Sequence, residues 1–175
     1  HTANQRLAGL ESRNQAKTFI YALIYGAGNA KIGAVVGGKQ ADGKRLRESF
    51  LNNLPSFASL ITKVSRAAQK GFLKGLDGRK IKVRSQHSAL NALLQGGGAI
   101  VMKQALILFH EKIQQYGAVV VGNIHDEWQV EVPEQYAEEV GKAGVAAIVQ
   151  AGKDLELYCP LDGEYKIGDD WSETH

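Results

Sequence analysis

The sequence predicts an α+β fold, in which a helical region is followed by a region that mixes helices with short antiparallel strands. Three observations support this prediction. Apolar residues recur at helical spacing through most of residues 5–64, a strand-like alternation begins near residue 71, and a second strand pair flanks residues 123–127. The change near residue 71 sets the predicted boundary between two subdomains, residues 1–72 and 73–175.

The first subdomain is predicted to be helical throughout. Its first helix spans residues 5–27 without a break, because the apolar pattern continues through the possible cap residue Ser12. Gly26 and Gly28 then end this helix in a turn. Three further helices are predicted, over residues 30–36, 44–53 and from Pro55 to about residue 64.

The second subdomain is predicted to alternate hairpins with helices. Asp77-Gly78 lies between two alternating segments, which is typical of a β-hairpin. A helix over residues 88–116 is expected in two parts, interrupted by the glycines at 96–98. The remaining predictions are a hairpin over residues 118–132, a helix over residues 133–150 and a strand-like tail over residues 161–168.

Composition and charge restrict the possible functions. No apolar run approaches the ~20 residues of a membrane span, so no membrane partner is expected. The single cysteine, Cys159, excludes an internal disulfide and suits a reducing compartment. Residues 1–84 hold 16 Lys and Arg against 4 Asp and Glu, whereas residues 85–175 hold 5 against 14. The basic half therefore predicts a polyanionic partner, and the acidic half suits metal ligands.

Arg13, Lys17, Tyr21 and Tyr25 follow one another at intervals of four residues. On a helix these side chains share one broad face. Two cations followed by two aromatic rings suit a ligand that is polyanionic at one end and planar at the other, such as a nucleoside triphosphate. The alternative is a solvated helix face with two half-buried tyrosines.

His125, Asp126 and Glu127 lie at the turn of the second predicted hairpin. Adjacent carboxylates on a tight turn are costly unless a cation lies beside them, which favours a divalent ion. The alternative is a solvated turn.

A third candidate group is Arg84 with Asn91 and Gln95. Asn91 and Gln95 are four residues apart, so they lie on one helix face. Amide side chains can hydrogen-bond the minor-groove acceptors that all base pairs share, which suits sequence-independent binding of a duplex. A capped helix with a glycine hinge is the alternative.

These three groups together resemble family A DNA polymerases. Arg13, Lys17, Tyr21 and Tyr25-Gly26 resemble motif B, the nucleotide-binding helix of the fingers, and the surrounding segment SRNQAKTFIYALIYGAG is most similar to the bacteriophage replicative branch. His125-Asp126-Glu127 resembles motif C, and Asn91 with Gln95 resembles the family's contacts with primer–template DNA. The resemblance extends over nearly the whole chain.

The resemblance implies a role for each candidate residue. Residues 1–72 would form the fingers, with the nucleotide-binding helix at 5–27, and residues 73–175 the C-terminal part of the palm. Asp126 would be the metal ligand and would bind two Mg²⁺ ions, shared with an aspartate outside this chain. Arg13 and Lys17 would assist catalysis, Glu127 would have a supporting catalytic role, and His125 would shape the turn or contact nucleic acid. The implied nucleotide contacts are His1, Arg13, Lys17, Tyr21 and Tyr25, and the implied DNA contacts are Arg84, Asn91, Gln95 and His125.

Motif A of the family, which carries the second metal-binding aspartate, has no counterpart in this sequence. The expected function is therefore template-directed DNA synthesis from deoxynucleoside triphosphates by two-metal phosphoryl transfer, as the C-terminal part of a longer or split polymerase. The chain alone is expected to be inactive without an upstream segment that carries motif A and the thumb. The expected location is the cytoplasm, that of a bacterial host if the chain is phage-encoded. The alternatives are a non-catalytic nucleic-acid-binding module on the same scaffold and a different phosphate-handling hydrolase.

Overall fold

The computed structural model describes residues 2–174, and its fold is α+β, as predicted. Most of the described chain is helical, and the strands form two separate two-stranded antiparallel sheets. In chain order the helices and strands are α1 (Thr2–Ala8), α2 (Arg13–Ile24), α3 (Asn29–Ala34), α4 (Gln40–Asn53), α5 (Pro55–Ala68), β1 (Phe72–Lys74), β2 (Lys80–Lys82), α6 (Ala89–Ile113), β3 (Val119–Ile124), β4 (Glu127–Glu131), α7 (Ala137–Asp154) and α8 (Trp171–Thr174).

The chain divides into two compact units. The first contains the residues up to Lys74 together with Arg79–Gln95, and the second contains Gly75–Gly78 and the residues from Gly96 onwards. The strands β1 and β2 and the start of α6 therefore pack with the N-terminal helices, so this division falls later in the chain than the subdomain boundary predicted after residue 72. The assignment of the two subdomains to fingers and palm stays a prediction.

The core of the first unit is centred on Phe19 of α2 and Phe50 of α4. Both side chains are fully buried, and their rings meet edge to face with centroids 5.1 Å apart. Such aromatic pairs contribute about 0.5–1.5 kcal/mol beyond the area they bury. Ala16 and Leu23 of α2 join the same core. This packing fixes one side of α2 and leaves the opposite side exposed.

The helices α3 and α4 cross with their backbones almost in contact. A Cβ atom on Gly43 would lie 1.9 Å from the carbonyl oxygen of Asn29, and one on Gly33 would lie 2.1 Å from that of Lys39. Asp42 caps the start of α4, because its carboxylate accepts a 2.7 Å hydrogen bond from the Lys39 backbone N–H. Asp42 and Gly43 thus lie in the first turn of a helix that begins earlier than the predicted residue 44.

The prediction of one continuous helix over residues 5–27 is wrong, because the chain breaks between α1 and α2. Gly9 has a φ of 65°, a left-handed conformation that ends a helix. Ser12 then caps α2 with a capping box: its hydroxyl accepts from the Gln15 N–H at 3.2 Å, and its own N–H donates to Gln15 Oε1 at 3.3 Å. The apolar pattern continues through the break because Leu10 is itself buried.

The predicted interruption of the long helix at Gly96–Gly98 is also wrong, since α6 runs unbroken from Ala89 to Ile113. Each glycine costs about 1 kcal/mol relative to alanine in a helix interior. Burial of Ala89 and Leu90 before the glycines, and of Phe109 after them, outweighs this cost.

The helical stretch Gln86–Tyr116, which contains α6, is apolar enough to cross a membrane by length and composition alone. Only 17% of its most apolar 18-residue window is buried. By length and composition, therefore, one stretch does reach the length of a membrane span, contrary to what the sequence predicted. The same stretch carries Asn91 and Gln95, two of the predicted DNA contacts.

Both predicted hairpins are present. In the first, Leu73 pairs with Ile81 and Lys74 with Lys80 around the Asp77-Gly78 turn. In the second, β3 and β4 pair from Val119 with Glu131 to Ile124 with Glu127, with a β-bulge between Val120 and Gly122. The second hairpin packs against Phe109 of α6, whose ring stacks on Trp128 at a centroid distance of 5.0 Å.

The tail over residues 161–168 forms no strand, contrary to the prediction. Its alternating side chains instead pack along α7, where glycines leave room for them. Leu161 lies against Gly152, and the Tyr165 ring lies so close to Gly141 that a Cβ there would be 2.3 Å from a ring carbon. The alternation that predicted a strand therefore reflects packing against a helix.

Candidate functional site

Arg13, Lys17, Tyr21 and Tyr25 lie on the exposed side of α2, opposite its packed face. Arg13 and Lys17 are exposed, and no carboxylate within residues 2–174 forms an ion pair with either. Tyr21 is 47% and Tyr25 55% exposed, so both rings are available to a ligand. The predicted fifth member of the group, His1, lies outside the described residues.

A groove of about 570 Å³ runs along this side of α2. Its volume lies within the range of about 300–1,000 Å³ that is usual for small-molecule sites. Besides the predicted Lys17, Tyr21 and Tyr25, Lys31 of α3 also lines the groove. Lys31 was missed from the sequence because α3 had no recognised functional pattern. The complete lining is Asn14, Lys17, Thr18, Tyr21, Ala22, Tyr25, Ala27 and Lys31.

The break between α1 and α2 places a helix N-terminus at Arg13. Backbone N–H groups at a helix N-terminus carry a partial positive charge and favour anions. Arg13 in the first turn and Lys17 one turn later add two full charges at this end, and the tyrosines lie toward the other. The face of α2 is therefore graded from cationic to aromatic along its length.

The aromatic end of the groove is held against the segment before α6. Gly26 has a φ of 74°, and a Cβ atom there would lie 2.1 Å from the carbonyl oxygen of His87. Only glycine permits this approach. Next to it, Gln95 Nε2 of α6 donates a 3.3 Å hydrogen bond to the Tyr25 hydroxyl. A predicted nucleotide contact and a predicted DNA contact are thereby joined within the first unit.

Of the other three predicted DNA contacts, Arg84 and Asn91 also lie in the first unit, whereas His125 lies in the second. Arg84 is exposed just after β2. Asn91 is half-buried one helical turn before Gln95, and its Oδ1 is shielded from solvent without a hydrogen-bond partner among the described residues. Asn91 and Gln95 thus share one face of α6, as their spacing predicted.

His125 and Asp126 form the two-residue loop between β3 and β4 in the second unit. His125 has a φ of 56°, a left-handed conformation that is uncommon for a residue with a side chain. This geometry supports the predicted role of His125 in shaping the turn. Asp126 follows it with an exposed carboxylate, and Glu127 begins β4 half-buried.

Glu127 belongs to a short chain of hydrogen bonds that extends to the C-terminal helix. Gln129, two residues along β4, donates from Nε2 to Glu127 Oε1. The Thr174 hydroxyl of α8 donates to Gln129 Oε1 at 3.4 Å. Glu127 is therefore held by its neighbours, whereas Asp126 is the carboxylate left open to solvent.

The chemistry of this turn fits part of a magnesium site. Mg²⁺ is usually bound by one or two carboxylates, with water and substrate phosphates completing its coordination. Asp126 alone meets the lower end of this requirement, because Glu127 Oε1 already accepts a hydrogen bond from Gln129. Among residues 2–174, no group of three or more His, Cys, Asp or Glu side chains could hold a metal ion. Further ligands would have to come from elsewhere.

A second cavity of about 570 Å³ lies between α7 and the tail, and contains none of the predicted site residues. At its edge the Tyr165 hydroxyl donates a 2.8 Å hydrogen bond to Glu138 Oε2. This bond, together with Lys142, lowers the pKa of Glu138, and the Glu138 carboxylate in turn raises the pKa of Tyr165. The contact fastens the tail to α7.

Comparison with known proteins identifies the family. The model of the family "DNA polymerase family A" matches residues 3–173. The DNA-directed DNA polymerase of Escherichia phage Phieco32 is 40% identical over 184 aligned residues, and that of Escherichia phage T7 is 36% identical over 199. Both alignments cover 100% of this chain, but only 30% and 28% of the respective relatives. The chain thus spans less than a third of the length of these polymerases.

A solved structure supports the fold. The POL domain of Pol1 from M. smegmatis, in complex with DNA primer-template and dNTP, superimposes on 79% of this chain with a TM-score of 0.73 and 22% sequence identity. The superposition covers 27% of that polymerase chain. The family model matches almost every residue, and the two phage enzymes are similar over the whole of this chain, which shows that the chain belongs to the DNA polymerase family A.

Proposed function

We propose that the chain is the nucleotide-binding and metal-binding C-terminal part of a polymerase that performs template-directed DNA synthesis. The observation that carries this proposal is the groove along α2, where Lys17, Tyr21 and Tyr25 line a cavity of about 570 Å³. Residues of these types at these positions form the motif B pattern of the family to which the chain belongs. The reaction joins the 3′-hydroxyl of a primer to the α-phosphorus of an incoming deoxynucleotide.

The groove residues would bind and orient the nucleotide together with Arg13, which lies on the same side of α2 but does not line the groove. Arg13 can hold phosphate oxygens with a two-pronged guanidinium, and Lys17 acts as a point charge. The partial positive charge at the start of α2 supports the same end of the ligand. Tyr21 and Tyr25 would then contact the sugar and the base pair, and Lys31 is a further cation within reach of the groove.

The turn between β3 and β4 would supply the metal ligand. Magnesium, when bound by Asp126 together with an aspartate outside this chain, supplies Lewis-acid stabilisation of the attacking and leaving oxygens. Asp126 is suited to this role because it is exposed and its turn is fixed by the left-handed His125. Glu127 supports the turn through Gln129, and on this basis we place it beside the metal site.

Primer–template DNA is the proposed macromolecular partner. The solved relative was captured with DNA primer-template and dNTP, and the first unit holds 16 Lys and Arg against 3 Asp and Glu. Arg84, Asn91, Gln95 and His125 are the proposed contacts near the primer end. Sequence-independent charge of this kind provides most of non-specific DNA affinity.

The second unit has features that favour an additional polymerase segment as a partner. Ile107, Val119 and Val121 are each more than half exposed, and β3 pairs only with β4 among the described strands. The Trp128 indole N–H is shielded from solvent but has no acceptor within residues 2–174. A buried donor without an acceptor costs about 1–3 kcal/mol. An upstream segment carrying motif A and the thumb would cover the apolar side chains and supply the second aspartate.

The competing function is a non-catalytic DNA-binding module, which the charge of the first unit alone would support. The cytoplasm, that of a bacterial host if the chain is phage-encoded, is the proposed location for either function. The two differ in one respect: a binding module has no need of the groove along α2 or of Asp126.

Primer extension tests the proposal. We expect the 175-residue chain to be inactive alone and to extend a primer when the upstream segment is supplied in trans. Asp126→Asn should lower synthesis by the mixture about 10³-fold or more, since loss of a catalytic metal removes several kcal/mol of transition-state stabilisation. Its affinity for primer–template should change little.

Asp169→Asn is the matched control, because Asp169 is exposed and its carboxylate makes no hydrogen bond or ion pair within residues 2–174. Its synthesis should equal that of the unmodified mixture. Undiminished synthesis by the Asp126→Asn variant would refute the metal assignment. DNA binding without synthesis in any mixture would favour the non-catalytic module.

A further inference from the structure

The β1–β2 hairpin has one strongly basic face whose purpose the groove and the turn do not explain. Leu73 and Ile81 are paired and face the core of the first unit, where Val83 is also buried. Side chains alternate along a strand, so the other face carries the remaining residues of both strands. This outer face consists of Phe72, Lys74, Lys80 and Lys82, all of them exposed, and is called the lysine face below.

The arrangement of these lysines opposes the stability of the hairpin. Lys74 lies directly opposite Lys80 in the ladder, and Lys82 follows on the same face. Like charges at directly opposed positions destabilise a strand pair. Within residues 2–174, none of these three lysines forms an ion pair with a carboxylate. Repulsion that no described carboxylate relieves indicates an external anion.

The cationic row continues beyond β2. The Val83 N–H donates to the Gly71 carbonyl at 3.0 Å, so the extended pairing reaches one residue past the strand. Arg84 follows with its side chain exposed. Lys80, Lys82 and Arg84 are thus alternate residues of one extended segment, with a repeat of about 6.6–6.8 Å per two residues. This repeat is close to the separation of successive phosphates along a nucleic-acid strand.

An aromatic ring lies within this cationic row. Lys80 Nζ is 4.9 Å from the centroid of the Phe72 ring, which is 36% exposed. Surfaces that combine cations for the backbone with an aromatic ring for a base are typical of sites for unpaired nucleic acid. In a duplex the bases are already stacked on one another, so an exposed ring on such a face favours a single strand.

We propose that the lysine face binds an unpaired DNA strand, with Lys80 and Lys82 on successive phosphates, Lys74 beside Lys80 on the same backbone and Phe72 against a base. This inference rests on the proposed function, in which the unpaired strand is the template ahead of the primer end. It adds a binding surface on β1 and β2 to the contacts proposed for Arg84, Asn91 and Gln95.

The salt dependence of DNA binding by the full 175-residue chain tests the inference. The probes are a fluorescein-labelled oligothymidine, which stays unpaired, and a duplex of equal length. The variant changes Lys74, Lys80 and Lys82 to Gln together. Removing one lysine–phosphate interaction lowers the slope of log affinity against log salt by about 0.7 on a single strand. We therefore expect the slope on oligothymidine to fall by about 2, with a smaller change on the duplex.

The matched control changes Lys112, Lys153 and Lys166 to Gln, three exposed lysines that form no ion pair within residues 2–174. It removes the same net charge and should leave the slope unchanged. An unchanged slope in the Lys74/Lys80/Lys82 variant would overturn the inference, as would an equal fall in the control. A fall confined to the duplex would overturn the assignment to an unpaired strand.

Two further measurements separate binding from folding. Phe72→Leu should weaken binding of oligothymidine about tenfold and of the duplex little, and equal weakening of both would refute the base contact. Lys74→Gln should weaken DNA binding while raising the unfolding midpoint, because it removes the repulsion with Lys80 and keeps the contact between Lys80 and Phe72. A lowered midpoint would mean that Lys74 has a structural role instead.

Failure of this inference is distinguishable from failure of the proposed function. Primer extension that persists with an unchanged salt slope in the triple variant would overturn the lysine face alone. A chain that shows the expected fall in slope, but supports no synthesis in any mixture, would overturn the polymerase proposal and keep DNA binding by this face.

Discussion

The groove along α2 and the turn between β3 and β4 differ in how complete each is. The groove has its own walls, formed by α2 and α3 with two lysines and two tyrosines, all within the first unit. The turn presents one exposed carboxylate beside a half-buried one, and no group of metal ligands among residues 2–174 completes it. A phosphate site can be built from one helix and its neighbour, whereas a two-metal site needs carboxylates from separate segments.

The two units also differ in charge. The first unit holds 16 Lys and Arg against 3 Asp and Glu, and the second holds 5 against 15. The basic unit can attract DNA and nucleotide by itself, since such charge acts without a specific partner. The acidic unit needs a cation and a further ligand before its chemistry is defined. Binding and catalysis should therefore respond to different substitutions.

Nucleotide binding by the isolated chain should show the largest difference between the groove and the turn. Lys17→Met should weaken binding of a deoxynucleoside triphosphate about 10- to 100-fold, because a hydrogen bond to a charged group contributes about 1.5–3 kcal/mol. Asp126→Asn should leave the affinity within about twofold, because the groove lies in the first unit. Isothermal titration calorimetry gives both affinities.

Lys103→Met is the control for this measurement, since Lys103 is an exposed lysine of α6 in the second unit. Its affinity should equal that of the unmodified chain. If Asp126→Asn weakened nucleotide binding as much as Lys17→Met, the groove would not be complete by itself and the comparison would fail.

Loss of the hydrogen bond between Gln95 and Tyr25 should have a smaller effect on nucleotide affinity. Tyr25→Phe keeps the ring but removes the acceptor, and Gln95→Ala removes the donor. Each change should weaken nucleotide binding about 2- to 10-fold, as expected for a neutral hydrogen bond. The double variant should be no weaker than either single variant, because both remove the same contact. Additive effects would show that the two residues act separately.

Removing the left-handed strain at His125 should stabilise the turn between β3 and β4. His125→Gly should raise the free energy of unfolding by about 0.5–1 kcal/mol, since a left-handed residue with a Cβ costs about 1–2 kcal/mol and part of the gain is lost as glycine entropy. Urea unfolding measures this change. His125→Ala keeps the Cβ and should bring no gain. If glycine were also neutral, the φ of 56° would not represent strain.

The smallest expected effect is the pH dependence of the contact between Tyr165 and Glu138. The lowered pKa of Glu138 contributes stability above the usual value of 4.5, which is lost as the pH falls through its folded pKa. The raised pKa of Tyr165 contributes stability below 10.0, which is lost as the pH rises through its folded value. Tyr165→Phe should reduce both losses in urea unfolding. Identical pH profiles would show that the tail is held by packing alone.

Periodic patterns in the sequence predicted the face of α2 and both hairpins correctly. The spacing of Arg13, Lys17 and Tyr21 survives the error in helix length, because side chains four residues apart share a face in any helix that contains them. The break at Ser12 was missed because buried Leu10 continues the apolar pattern through it. Lys31 was missed because its position depends on how α3 packs beside α2.

Glycine-containing segments account for other errors, because the effect of a glycine depends on what packs around it. At Gly96–Gly98 flanking burial outweighs the low helix propensity, so α6 continues. At Gly141 and Gly152 the missing side chains make room for Tyr165 and Leu161, whose alternation suggested a strand. The second metal ligand could not be predicted from this sequence or found among the described residues, since one aspartate specifies only half of a paired site.

The close crossing of α3 and α4 has a consequence for mutational scanning. Gly33 and Gly43 line no groove and bear no functional group, yet any side chain at either position would overlap a backbone carbonyl oxygen. A scan of all substitutions in this chain should therefore score these two glycines as intolerant as Lys17 or Asp126. Selection for activity alone would not separate the residues that bind substrate from the two that let the helices touch. Measuring the abundance of folded protein together with activity would separate the two groups. Only the glycine variants should lose both activity and abundance.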